Sequence, residues 1–261
     1  MTAATRVLEH RALQYARTFR ASVFTSFLSP VLFLTAMGIG LGTYVDRSGT
    51  ASQALGGLTY VQFLAPGLLA ATAMQSAAFE ATFPIMGGLT WMKTFHAMYA
   101  TPISARDIVL GNLGWIAVRL TMIAFVFTIV MVVFGAVASP LIVLALPAAV
   151  VTGMAFAAPI AGFSATQRTP EKFNAVFRFG ITPLFLFSGT FFPISNLPAF
   201  IQPIAWISPL WHGVELSRGL AFGTIADAPL LAVAHVAILA AIFVLGALWA
   251  FRTVERRLIR G

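Results

Sequence analysis

The sequence predicts an all-α integral membrane protein with six transmembrane helices. Three observations carry that reading. First, 59% of the 261 residues are hydrophobic and only 9% are charged, with a mean hydropathy of +0.90. A soluble domain carries about 25% charged residues, so the solvent for most of this chain is lipid. Second, apolar runs recur near 23–43, 60–84, 108–135, 141–163, 176–192 and 229–251. Each approaches the ~20 residues that a bilayer core demands, the fifth being short. Third, with a cytoplasmic N-terminus, thirteen of the sixteen Lys and Arg fall on one side of these runs. Only Arg47 and Arg218 fall on the other, and Arg119 lies inside the third run. Basic residues mark the cytoplasmic side, so both termini are expected there.

The elements follow in order. Within residues 3–20, Leu8, Ala12, Tyr15 and Phe19 form one helical stripe, opposed by Arg6, Glu9, Arg17 and Arg20. Such a segment, covering 1–22, is expected to lie in the membrane interface with its Arg heads at lipid phosphates. The alternative is a signal-peptide n-region, but the run that follows exceeds the 7–15 residues of an h-region. The first span is interrupted only by Pro30. After the second comes a segment, 85–106, that is neither a span nor a polar loop. Met92, Phe95 and Tyr99, supported by Trp91 and Met98, give it a short helix with one apolar face, stopped before Pro102. Ser104 and Asp107 have the spacing of a capping box opening the third span.

Between spans five and six, Pro193, Pro198, Pro203 and Pro209 forbid one continuous helix. Yet Phe200, Ile201, Ile204, Trp206, Ile207, Leu210 and Trp211 are too apolar for a solvated loop. Short pieces lying at, or re-entering, the outer interface satisfy both constraints. The external segments are then 44–58 and 193–228, with 252–261 as a cytoplasmic tail. No internal repeat and no soluble domain is visible, so 1–261 reads as one transmembrane domain.

Several chemistries are excluded. The net charge of +8 would suggest nucleic acid in a soluble protein, but here the charges cluster between apolar runs, which points to membrane lipids. With no cysteine, disulfides and thiolate metal sites are ruled out. The two lysines occur in "LTWMKT" and "RTPEKF", so neither is the Lys of a nucleotide-binding P-loop. His212 and Glu215 share a helical face, but a metal site needs more ligands; none is expected, and interfacial polar groups are the simpler reading. Without a nucleophile and base constellation, the chain is not expected to be an enzyme. Fourteen arginines against two lysines hint at a GC-rich bacterial genome.

"MQSAAFEATFPIMGGLTWMKTFHAMYATPISARDIVLGN" resembles the region around the second and third spans of ABC type-2 exporter permeases. The likeness is to the branch of nodulation-factor (lipo-oligosaccharide) and daunorubicin-type drug exporters. "SGTFFPISNLP" and "ISPLWHGVELSRGL" resemble the same family's outer segment. The resemblance implies a permease in the bacterial cytoplasmic membrane, paired as a homodimer or with a related chain. It also implies two separate ATPase subunits that bind ATP and Mg. The short helix within that segment, at residues 89–100, would then be the coupling helix, presenting Trp91, Met92, Lys93, Phe95, His96 and Tyr99 to the ATPase. A surface helix without a partner is the alternative. A transport path between protomers would be lined by residues such as Phe33, Met74, Gln75, Phe185 and Phe187.

Glu80 and Arg119 are the ionisable residues within apolar runs that most need a partner, since unpaired charge facing lipid is costly. Glu80 lies about 6 Å above the inner end of a span ending at 84, and Arg119 about 12–18 Å above the inner surface. That mismatch leaves their pairing open, with an interfacial carboxylate reaching water as the alternative for Glu80. Two other functions stay in view: a membrane enzyme acting on lipid-linked substrates, and an ion-driven carrier using His235 and Arg119.

Overall fold

The computed structural model describes residues 2–47, 55 and 57–260, without the side chains of 18–27, 29, 30 and 39. The side chains of Phe19, of Arg20 opposite it and of Pro30, and most of the 44–58 loop, therefore lie outside the described residues, although the backbone runs helically through Pro30.

Helix α1 (Ala3–Leu34) passes through a π-helical stretch, Thr35–Leu41, into α2 (Gly42–Arg47). Then come α3 (Tyr60–Leu89), α4 (Thr94–Tyr99) and α5 (Ala105–Val133). A 3-10 turn, Pro140–Leu144, leads into α6 (Ala145–Thr166). Next, α7 (Glu171–Ala175), a π-helical Val176–Ile181 and α8 (Thr182–Phe187) run on as one rod. The outer segment contains α9 (Gln202–Ile207) and α10 (Pro209–Phe222), and α11 (Pro229–Arg260) closes the chain. No strand occurs among the described residues.

Among the described residues, three helical stretches are both long and apolar enough to cross a membrane: Ala105–Val133, Pro140–Thr166 and Pro229–Arg260. Helix α3 is as long, with 30 residues, but 21 of them are buried. It is the central helix, so protein rather than lipid surrounds most of it. Its alanines make that possible: Ala65, Ala70, Ala71, Ala73, Ala77, Ala78 and Ala81 are each at most 2% exposed, and small side chains let neighbouring backbones approach. Paired ends fix where it and α5 begin. Thr59 and Gln62 cap α3 reciprocally, and Ser104 and Asp107 do the same for α5, as their spacing predicted.

Three expectations need revision. The segment 3–20 is not a separate element, because α1 runs unbroken past residue 22. Its stripe does find an apolar surface, but that surface is α5. Val7 rests on Gly111, Leu8 meets Gly114, and the Tyr15 ring lies 5.3 Å from Trp115. The glycines on α5 open the groove that receives it. Second, the fifth helical rod covers 171–187, not 176–192; it stops at Ser188 because Gly189 takes a left-handed φ of 79°. Third, the tail beyond 251 is helical to Arg260. Ala247, Ala250, Val254 and Leu258 continue one buried stripe at spacings of three and four, and this carries the helix onward.

Helices α6 and α11 touch most closely in the half away from the outer segment. A Cβ at Gly246 would meet Pro159 at 2.5 Å, and one at Gly162 would meet the Trp249 ring at 2.8 Å. Toward their other ends the two wall a cavity together with α10, which also packs against α3.

Candidate functional site

Polar groups gather at two places in this apolar bundle. The first lies where α1, α3 and α5 meet. Arg119 Nε stands 3.4 Å from Glu80 Oε1, with the two side chains 15% and 18% exposed. The Arg119 guanidinium also covers the Tyr15 ring at 4.5 Å. Arg11 is near enough for the Glu80 charge to act on it, and its Nε and Nη2 are buried without a hydrogen-bond partner.

The depth mismatch disappears for two reasons. Helix α3 does not stop at 84 but continues to Leu89, which sets Glu80 higher in the helix than expected. In addition, α3 and α5 are antiparallel, as the bond from Gln62 Nε2 to the Gly135 carbonyl shows. Helical side chains lean toward their own N-terminus, so on antiparallel neighbours Glu80 and Arg119 lean toward each other.

The second place lies around α10. Arg218 donates from Nη1 to Glu215 Oε1 at 2.9 Å, and from Nη2 to the carbonyls of Gly189 (2.9 Å) and Phe63 (3.3 Å). Its guanidinium stacks 3.9 Å from the Phe63 ring. One side chain thereby ties α10 to α3 and to the turn that ends the fifth rod. Nearby, the Ser188 and Ser208 hydroxyls share a buried hydrogen bond of 2.9 Å. His212 Nδ1 and His235 Nδ1 lie 2.6 Å apart, joining α10 to α11, with the Trp211 ring 4.9 and 5.2 Å from the two imidazoles. Among the described residues no group of three or more His, Cys, Asp or Glu is arranged to hold a metal ion.

Two cavities adjoin this cluster. An apolar one of about 450 Å³ is walled by residues of α6, α10 and α11, including Ala148, Val151, Leu220, Val233 and Val236. A smaller recess of about 110 Å³ is lined by Glu215, Thr224 and His235 among others. Leu216, Ile225 and Ala232 wall both.

The 85–106 segment differs from its expectation in one respect. Between the end of α3 at Leu89 and the start of α5 at Ala105, only Thr94–Tyr99 is helical; Trp91, Met92 and Lys93 form the turn that closes α3, with Trp91 and Met92 N–H groups both donating to the Gly87 carbonyl. Lys93 takes a left-handed φ of 50°, which costs a side-chain-bearing residue on the order of 1 kcal/mol. Trp91 and Met92 are each 58% exposed and Tyr99 38%, whereas Phe95 is 4% exposed. Phe95 lies flat against Gly88. It anchors the segment to the bundle and does not belong to an exposed face with Met92 and Tyr99. The reason is geometric, since a helix beginning only at Thr94 cannot place Met92 and Phe95 on one stripe. Lys93 is exposed and His96 half-buried.

The residues named for a transport path are not brought together. Met74 is fully buried. Phe33 and Phe185 converge on Phe191, at 6.2 and 4.9 Å. Gln75 and Phe187 are exposed.

Sequence reasoning treated Arg218 only as an outer basic residue, although its three-residue spacing from Glu215 was a readable helical pair. From the sequence, His212 is set with Glu215 and His235 with Arg119, not with each other. The rule that an ionisable residue in an apolar run has a partner could have raised the question, but not supplied the answer.

Comparison with known sequences now bears on this architecture. The profile of the family described as ABC-2 type transporter matches residues 5–222. Nodulation protein J of Rhizobium leguminosarum bv. viciae is 32% identical over 95% of this chain and 92% of its own length. Nodulation protein J of Bradyrhizobium diazoefficiens is 28% identical over 98% of this chain and 94% of its own. The match runs through α1, the central α3, the turn carrying Trp91, and the α10 cluster alike, and the chain belongs to the ABC-2 type transporter family of membrane permeases.

Proposed function

We propose that this chain is the permease half of an exporter that moves an amphipathic lipid, glycolipid or hydrophobic drug out of the bacterial cytoplasmic membrane. Two copies of a separate ABC ATPase bind ATP with Mg and drive it. Two permease chains, identical or related, enclose the path. Each crosses the bilayer six times, with both termini in the cytoplasm.

One observation carries the transport reading. Helix α3 is buried almost throughout, yet Gln75 and Phe79 are exposed, with half-buried Thr72 and Ser76 beside them. A glutamine turned to lipid is expensive. A stripe mixing amide, hydroxyl and ring suits a wet, apolar-sided path shared with a second protomer. The exposed Trp91, Met92, Lys93 and Tyr99 supply the surface for the ATPase, with Phe95 holding it in place.

Inverted membrane vesicles containing the permease and its ATPase provide the test. Uptake of a fluorescent lipid should require ATP and vanish when the ATPase loses its P-loop lysine. Uptake that ignores ATP but collapses when the proton gradient is discharged would overturn the reading in favour of an ion-driven carrier, to which the His212–His235 pair would then belong. Single cysteines at exposed Ser195 and Arg256 test the topology: in intact cells an impermeant reagent should label only position 195.

A further inference from the structure

The His212–His235 contact has an unusual property for a buried link between helices. Both rings approach through the same atom type, Nδ1, at 2.6 Å, and they are 7% and 4% exposed. Two neutral imidazoles make this bond when one Nδ1 carries a hydrogen and the other accepts it. A single added proton preserves the bond, because a charged ring still donates to a neutral one. A second proton removes the only acceptor and sets two cations in contact.

The surroundings offer a proton route but little compensation. His235 lines the recess of about 110 Å³ together with Glu215. Glu215 already accepts from Arg218, so that carboxylate is shared. Helix α11 contributes no other ionisable side chain before Arg252, and α6 contributes none. Helix α3 meets the cluster through the Phe63 ring and carbonyl. The turn Thr224–Asp227 carries Asp227, which does not line the recess.

The contact also sits at a mechanically useful point. It joins α10 to α11 beside the apolar cavity of about 450 Å³, and both helices wall that cavity. We propose that His212 and His235 form a proton-operated latch on the outer segment: closed while the pair holds no more than one extra proton, and released when acid adds the second. Release frees α10 from α11 and lets the cavity between them widen. External pH thereby acts on the permease independently of ATP.

The purified permease, reconstituted in lipid nanodiscs without ATPase or cargo, tests this directly, so the outcome does not depend on the transport reading. Thermal unfolding is followed from pH 8 to 4.5, alongside Trp211 emission, taken as the difference between wild type and Trp211→Phe. A charged imidazole quenches a neighbouring indole. Wild type should hold its midpoint down to about pH 6, near the ordinary histidine range, then lose stability in a step as the pH falls further, with Trp211 emission dropping once at the first proton and again at the second. In His212→Gln the amide can donate to a neutral His235 or accept from a charged one, so the acid step should disappear. The double variant His212→Phe, His235→Phe should lose both the step and the emission change. An acid step of unchanged size in His212→Gln, or a wild type whose midpoint and Trp211 emission stay flat to pH 4.5, would overturn the latch.

Discussion

The two polar centres of this chain solve one problem in different ways. At the α1–α3–α5 junction, charge is balanced between helices far apart in sequence: Glu80 answers Arg119, with Arg11 and the Tyr15 ring beside them. There the ionic contact is a loose one of 3.4 Å, and the Nε and Nη2 of Arg11 find no hydrogen-bond partner. Around α10 the balance is local, Glu215 to Arg218, and the surplus donors of Arg218 are spent on main-chain carbonyls of α3 and the 188–190 turn. A guanidinium can do this because its donors are fixed in a planar fork. The first arrangement tolerates sliding between helices, since charge and ring contacts fall off gradually. The second does not, since a carbonyl hydrogen bond is lost within a fraction of an ångström.

If that contrast holds, Arg218→Ala should be the most damaging single change. It deprives two carbonyls of their donor and unpairs the 40%-exposed Glu215, a loss of about 3–4 kcal/mol, mostly from the carbonyls. Thermal unfolding of the purified permease should show a large fall, and Arg218→Lys should recover only part of it, because one ammonium cannot span all three acceptors. Full recovery by Lys would mean that charge, not the fork, fixes the outer segment. Next comes Glu80→Ala, which leaves Arg119 and Arg11 uncompensated in a mostly buried place at a cost of about 3 kcal/mol. Glu80→Gln should be milder. Adding Arg119→Met to Glu80→Ala should restore stability, and strict additivity in that double-mutant cycle would show that the pair does not interact.

Smaller effects separate the two centres further. Ser208→Ala removes the buried bond to Ser188 and the hydroxyl that accepts from Leu210 N–H. A loss of about 1 kcal/mol is expected, read as a modest drop in unfolding midpoint with the inner contacts undisturbed. Trp91→Asp should change stability least of all, since that ring is exposed, yet it should abolish recovery of the complex when the tagged ATPase is purified at matched membrane levels. Phe95→Asp is the control: it buries a carboxylate against Gly88, so it should fail through unfolding and not through loss of docking alone.

Much of this architecture was legible in the residues because it is set locally. The capping box at Ser104 and Asp107, the prolines that divide 193–209, and the long apolar helices of α5, α6 and α11 all depend on neighbours in sequence. What escaped depended on facing surfaces. Whether the stripe of Leu8 and Tyr15 met lipid or protein was decided by Gly111 and Gly114, a hundred residues away. The meeting of Glu80 with Arg119 depended on how far α3 runs past residue 84 and on the opposed lean of two antiparallel helices. Phe95 turned inward because Gly88 left room for its ring. In each case the apolar pattern named a face without naming what would cover it.

The close fit of Gly246 against Pro159 has a mechanical consequence. Gly246 lies seventeen residues from Pro229 and fourteen from Arg260, arms of roughly 25 and 21 Å at helical rise. A rigid rod held at that fulcrum converts a sideways push on its Arg260 arm into a slightly larger swing, in the opposite sense, of its Pro229 arm. The Pro229 arm carries Ala232, Val233 and His235. Strain applied near Arg256 would therefore be felt as movement at the cavity mouth, with the whole length of α11 serving as the lever.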